Sequence, residues 1–177
     1  MSALPTPSAA VTGARLVSGL AEPKAVSAAL AVAALSAIGR RDWQASCLAV
    51  LAVGTGAATR RWLSRIIARP RPPAERWLTE PEGFSLPSKH TTLAVLAAGA
   101  CVRSTGASGP ARHLVPFLAA ASVGASRVYL GVHWPTDILA GWLFGEGWLW
   151  LTSVPVRAGH GRSGLASPSC HTPHQAT

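Results

Sequence analysis

Acidic residues are scarce. Seven Asp and Glu are scattered over 177 residues, with none of the grouped carboxylates that would hold a Mg²⁺ ion. Charge of both signs together reaches only 13%, well below the usage of water-soluble domains. Hydrophobic residues make up 49%, so the shortage of charge does not indicate disorder. Three cysteines supply no disulfide framework. Cys47 and Cys101 sit in apolar runs, where a thiol behaves as a small hydrophobe, and Cys170 lies in a polar tail. No basic segment followed by an apolar core opens the chain, so no cleavable signal peptide is expected. No internal repeat is visible.

What fills the chain instead is Ala, Leu, Val and Gly. Small residues at this density suit helices that pack closely in lipid. Apolar stretches cover residues 25–39, 43–59, 91–102, 114–125 and 138–156, the last rich in tryptophan. A membrane span needs ~20 apolar residues, so several are short unless their ends enter the headgroup region. There are too few charged residues to coat five such helices in water. The expected fold is therefore all-α, a polytopic membrane bundle of five transmembrane helices. Residues 11–20 are expected to add an N-terminal interfacial helix. The expected division is an N-terminal segment at 1–23, a membrane-embedded domain at 24–156 and a disordered tail at 157–177, rich in Gly, Ser, Pro and His. The net charge of +9 fits loops lying against anionic lipid headgroups better than nucleic acid, which is not an expected partner. If the five helices alternate across the bilayer, the connection at 60–87 and the turn at 127–136 share one face.

Those two segments carry the chemistry. Arg69-Pro70-Arg71-Pro72-Pro73 presents guanidinium groups from a backbone stiffened by proline. A guanidinium matches phosphate oxygens with a planar fork of donors. Leu86-Pro87-Ser88-Lys89-His90 opens an apolar helix. Ser88 is a plausible N-cap there, the free amides at the helix start can bind an anion, and His90 falls in the first turn. Ser126-Arg127 is followed by His133 and Asp137, with Pro135 as a first helical residue between them. An Asp near a histidine can hold one ring proton and leave the other nitrogen free to attack. Taken singly, each has a blander reading, as a basic loop, an ordinary cap or a structural histidine.

Together they read R-P-R-P, P-S-x-H and S-R-x5-H-x3-D, each at the lip of an apolar segment. This resembles the type 2 phosphatidic acid phosphatase superfamily, the lipid phosphate phosphatases and their relatives. The resemblance implies an integral protein of the cell membrane that hydrolyses phosphate monoesters or diphosphates of lipids, with no cofactor and no metal. Phosphatidic acid, phosphatidylglycerol phosphate and polyprenyl phosphates or diphosphates are the substrate candidates. It implies His133 as nucleophile through a phosphohistidine, Asp137 as its orienting partner, and His90 as acid and then base. Arg71, Arg127 and Ser88 would bind phosphate. The chain departs from the family pattern twice. Ser64 stands where a lysine is usual, seven residues before Arg71, and Lys89 stands where a glycine is usual. Lys89 or Arg65 is expected to restore the missing cation, since a phosphate dianion in a partly dry site needs several.

Two other readings of the same motifs are a non-catalytic relative that binds phosphorylated lipid and a vanadate-dependent haloperoxidase. Glu146, midway along the last apolar stretch, is an ionisable residue at depth, more often paired than functional. Cys170, His171 and His174 resemble a metal clutch only faintly.

Overall fold

The computed structural model describes residues 8–107 and 109–153. The tail expected at 157–177, its Cys170, His171 and His174, and the end of the last apolar stretch at 154–156 lie outside them. Six α-helices follow one another: α1 (Ala9–Gly19), α2 (Pro23–Gly39), α3 (Trp43–Ile67), α4 (Lys89–Ser104), α5 (Ala111–Tyr129) and α6 (Pro135–Leu151), with a short 3-10 turn at Ala74–Arg76 between α3 and α4. Among the described residues there is no strand.

Local chemistry sets the boundaries. Ser8, Asp42 and Ser88 cap α1, α3 and α4, each through a side-chain oxygen that accepts a first-turn amide. Pro23 and Pro135 open α2 and α6, where a missing amide proton is no loss. Ala68 turns left-handed at φ +47° and ends α3, and Pro70 forbids its resumption.

Two helices run further than the apolar stretches suggest. Helix α3 does not stop at residue 59. It continues through Arg60 and Ser64, which are buried on one face four residues apart. Helix α5 carries Ser126 and Arg127 in its own last turn rather than in a loop. In both cases an inward-facing arginine has partners inside the bundle, so polarity alone does not end the helix.

Helix α4 is the axis. Nearly every residue from His90 to Ala100 is buried, and α2, α3, α5 and α6 all pack on it. Small side chains permit the close approach. A Cβ on Gly145 of α6 would come within 2.8 Å of Val95.

The distribution of polarity is inverted relative to a water-soluble domain. Leu16, Leu35, Leu51, Leu118, Leu143 and Trp150 face outward, while Arg60, His90, Arg127, His133 and Asp137 are buried. Such an apolar exterior matches a lipid environment. No single described helix is both long and apolar enough to cross a membrane alone; α1 and α2 pass that test together, bent by 47° at their junction.

Candidate active site

The long α3–α4 connection folds back over the α5–α6 turn, and main-chain hydrogen bonds pin it there. Leu78 N donates to Leu130 O, Ser85 N to Arg69 O, and Ser88 N to Asp137 O, each at 3.0 Å. The Arg-Pro segment, the start of α4 and the His133 turn therefore meet at one end of the bundle, as alternating helices require.

Asp137 lies in the first turn of α6 and is fully buried. One carboxylate oxygen, Oδ1, accepts from Arg69 Nη1 at 2.8 Å. The other, Oδ2, accepts from Trp134 N at 2.9 Å, from the Ser85 hydroxyl, and from His133 Nδ1 at 3.4 Å. So many donors hold it as a carboxylate in spite of its burial.

His133 is held at both nitrogens. Its Nδ1–H points to Asp137, and Arg71 Nη1 lies 3.1 Å from Nε2. A guanidinium can only donate, so Nε2 must be the nitrogen with the free lone pair. Burial is the main reason its pKa falls to about 4. The charges of Arg71 and Arg127 act the same way, and the Asp137 contact opposes them. The ring is neutral at pH 7, with an unprotonated nitrogen facing an arginine.

Arg71 is fixed by main-chain carbonyls of the α3–α4 connection and of the α5–α6 turn. It donates to Val132 O at 2.7 Å, Gly83 O at 2.9 Å, Glu82 O at 2.7 Å and Phe84 O at 3.2 Å. Burial lowers its pKa, against the charges of Asp137 and Glu82. Arg127 donates to the Ser18 hydroxyl at 2.9 Å, and its buried Nε has no partner. Arg60 donates twice to Pro87 O, with Nε at 2.8 Å. None of these three guanidiniums hydrogen-bonds a carboxylate among the described residues, and the charge of Arg71 bears on both of the others. Two buried cations and a half-buried one, mutually repelling and resting on neutral oxygens, leave positive charge that an anion would offset.

His90 sits beside this cluster. The charge of Arg127 reaches both His90 and His133. Its Nε2 is 2.7 Å from Glu22 Oε1, and its buried Nδ1 has no partner. Ser88 is fully buried and receives Thr91 N as the α4 cap.

The structure thus gathers His133, Asp137, His90, Arg71, Arg127 and Ser88. The two expected replacement cations stand differently. Lys89 pairs with Glu82 at 3.2 Å. Arg65 is exposed on the last turn of α3 and makes none of the cluster's hydrogen bonds. One residue along a helix is a rotation of about 100°, so a buried Ser64 turns Arg65 outward.

Sequence reasoning missed Arg60, Ser85, Ser18 and Glu22, and it read Arg69 as a phosphate-facing guanidinium rather than as the partner of Asp137. The position of Arg60, one turn before Ser64, was the one local signal, readable only if α3 is continued past residue 59. Glu146 is remote: nine residues along α6 from Asp137 is about 13 Å. There it faces His113 at 3.7 Å, and its charge acts on Arg103.

A cavity of about 300 Å³ opens between α2, α3 and α4. Val26, Leu30, Val53 and Leu93 supply apolar wall, and Arg60, Arg61 and Lys89 lie where the site-side ends of α3 and α4 meet it.

The chain is similar to several known proteins. The chain is 37% identical over 140 residues to the decaprenylphosphoryl-5-phosphoribose phosphatase of Mycolicibacterium smegmatis, a match covering 74% of this chain and 71% of that protein. It is 36% identical over 119 residues to phosphatidylglycerophosphatase B of Bacillus subtilis, covering 60% and 55%. To the undecaprenyl-diphosphatase of Sulfolobus acidocaldarius it is 35% identical over 79 residues, covering 45% and 36%. The crystal structure of a transmembrane PAP2 type phosphatidylglycerolphosphate phosphatase from Bacillus subtilis matches with a TM-score of 0.71 at 25% identity, covering 84% of this chain and 77% of that one. All four are phosphatases by name. The model of the PAP2 superfamily matches residues 45–158, and the chain belongs to that superfamily.

Proposed function

We propose that this protein is an integral membrane phosphatase that hydrolyses lipid-linked phosphate esters through a phosphohistidine on His133, without a metal. One observation carries the reading: His133 is neutral, with Nδ1–H directed at Asp137 and the lone pair of Nε2 directed at Arg71.

In the first step Nε2 forms a bond to phosphorus while the bond from phosphorus to the lipid oxygen breaks. His90, protonated once the phosphate dianion is bound beside it, gives its proton to that oxygen. Asp137 stabilises the positive charge that His133 acquires. In the second step His90 takes a proton from water, water oxygen bonds to phosphorus, and the phosphorus–nitrogen bond breaks. Arg71, Arg127 and Arg60 bind the non-bridging oxygens and supply the positive charge that a metal provides elsewhere. The start of α4 at Ser88 and Lys89 adds amide donors.

The relatives' names favour lipid carriers, and the cavity between α2, α3 and α4 offers apolar wall continuous with the cations of the site. Polyprenyl-linked sugar phosphate heads the substrate order, because the relative named for it covers most of this chain. Polyprenyl diphosphate and phosphatidylglycerol phosphate follow.

The test is phosphate release from a panel of these lipids and phosphatidic acid by purified protein in detergent, with His133→Ala as control. Release by the native enzyme alone is expected, with an acid-labile, base-stable phosphoenzyme. No release from any of them, or undiminished release by His133→Ala, overturns the reading.

A further inference from the structure

Helix α1 and the turn after it precede the residues matched by the family model, yet they reach into the site. Arg15, Ser18 and Glu22 are spaced by three and four residues, so they face one way along α1 and its exit. Arg15 donates to Leu78 O in the α3–α4 connection. Ser18 accepts from Arg127. Glu22 Oε1 accepts from His90 Nε2 at 2.7 Å, across 68 residues of sequence. The Glu22 side chain is half exposed, while that of His90 is buried.

We infer that Glu22 is a positioning residue for His90, fixing the ring so that Nδ1 faces the leaving oxygen. This rests on the reading of His90 as acid and then base. A carboxylate only accepts, so Nε2 must carry a proton. The other nitrogen, Nδ1, is buried without a partner and is left for the reaction. When His90 is protonated, the Glu22 carboxylate stabilises the imidazolium while Nδ1–H goes to the leaving oxygen. When His90 is neutral, Nε2–H stays on Glu22 and Nδ1 takes the proton of water. The two histidines are then oriented alike, each by a carboxylate on the nitrogen away from phosphorus: Asp137 behind His133 and Glu22 behind His90. Glu22 stays ionised for this role. Burial raises its pKa, but the hydrogen bond and charge of His90, with Lys89 and Arg127, bring it below the usual carboxylate value. The charged groups acting on His90 come from three directions: Glu22 before α2, Lys89 on α4 and Arg127 on α5.

Leaving-group dependence separates this role from a structural one. Hexadecyl phosphate releases an alkoxide that needs a proton; p-nitrophenyl phosphate releases a phenolate that does not. In Glu22→Gln, kcat/KM for hexadecyl phosphate is expected to fall roughly 10- to 100-fold, and kcat/KM for p-nitrophenyl phosphate by less than about 3-fold. Glu22→Gln combined with His90→Ala should be no slower than His90→Ala alone, as for residues acting as one unit. Unchanged or increased turnover of hexadecyl phosphate in Glu22→Gln overturns the proposal, as does an equal loss on both substrates. Histidine ¹⁵N spectra of the native protein give a second measure, with His90→Ala identifying the resonance. The Nε2–H form is expected, and the Nδ1–H form overturns the proposal even if the variant does not fold. Native enzyme inactive on hexadecyl phosphate, or His90→Ala that spares it, removes the underlying reading. A leaving-group-selective loss in His90→Ala without one in Glu22→Gln removes the role of Glu22 alone.

Discussion

Arg71 Nη1 lies 3.1 Å from His133 Nε2, on the side of the ring opposite Asp137. On the proposed mechanism, the attacking nitrogen and the cation for the phosphoryl oxygens are therefore neighbours before any substrate arrives. Four main-chain carbonyls hold the guanidinium in place, so little reorganisation is needed at the moment of reaction.

Arg71→Lys keeps the charge but loses the fork, and with it most of those carbonyl contacts. Its kcat/KM on a turned-over lipid phosphate should fall by about 100-fold. Arg65→Ala, on the exposed end of α3, should stay within about 2-fold of the native enzyme. Comparable losses in both would show that the missing lysine is replaced by Arg65 after all.

Acid should destabilise the fold through His133. Its folded pKa of about 4 lies below the ordinary histidine value of 6.5. Between those values the unfolded chain binds the proton and the folded chain does not, so stability rises with pH there. The contribution is complete above pH 6.5 and lost as pH falls towards 4, on the order of 3 kcal/mol in all. Thermal unfolding in detergent from pH 7 to 4 measures it, and His133→Gln should flatten that part of the profile. An unchanged profile in the variant would assign the loss to other groups.

On the proposed mechanism, phosphate release should persist in excess EDTA, because arginines and helix-start amides would serve the phosphate. Vanadate, which adopts the five-coordinate geometry, should inhibit competitively. A strict requirement for added divalent cation would refute this mechanism.

Gly131 links the Arg127 turn to His133 with φ +73°, and a Cβ there would sit 2.0 Å from the Arg76 carbonyl oxygen. Gly131→Ala forces both a disfavoured backbone angle and a main-chain clash. A loss of roughly 1–3 kcal/mol is expected, visible as a lowered Tm. Activity should fall with it, because Val132 and His133 must move. An alanine variant with native Tm and native turnover would mean that the loop yields freely.

Much of the fold was legible because helices are local. Runs of Ala, Leu and Val, with Ser88 as a cap and Pro135 as an opener, mark the helices within a few residues. The ends of α3 and α5 were less legible. Arg60 looks like a surface residue until its buried acceptor is found at Pro87 O, and Arg127, named by its motif, is seen to belong to the helix only through its partner Ser18 Oγ.

The sequence by itself determined the helical architecture, the apolar exterior and the motif residues His90, Arg127, His133 and Asp137, because periodicity, capping and motif spacing operate over a few residues. Only the tertiary structure decided that Arg69 goes to Asp137 and Arg71 to His133, that Arg60 stands in the cluster while Arg65 leaves it, and that Glu22 meets His90. The His133–Asp137 pair lies within one helical turn and could be read directly. The Glu22–His90 contact spans 68 residues, and it exists only because α1 and α2 are packed at an angle that brings their junction over the start of α4.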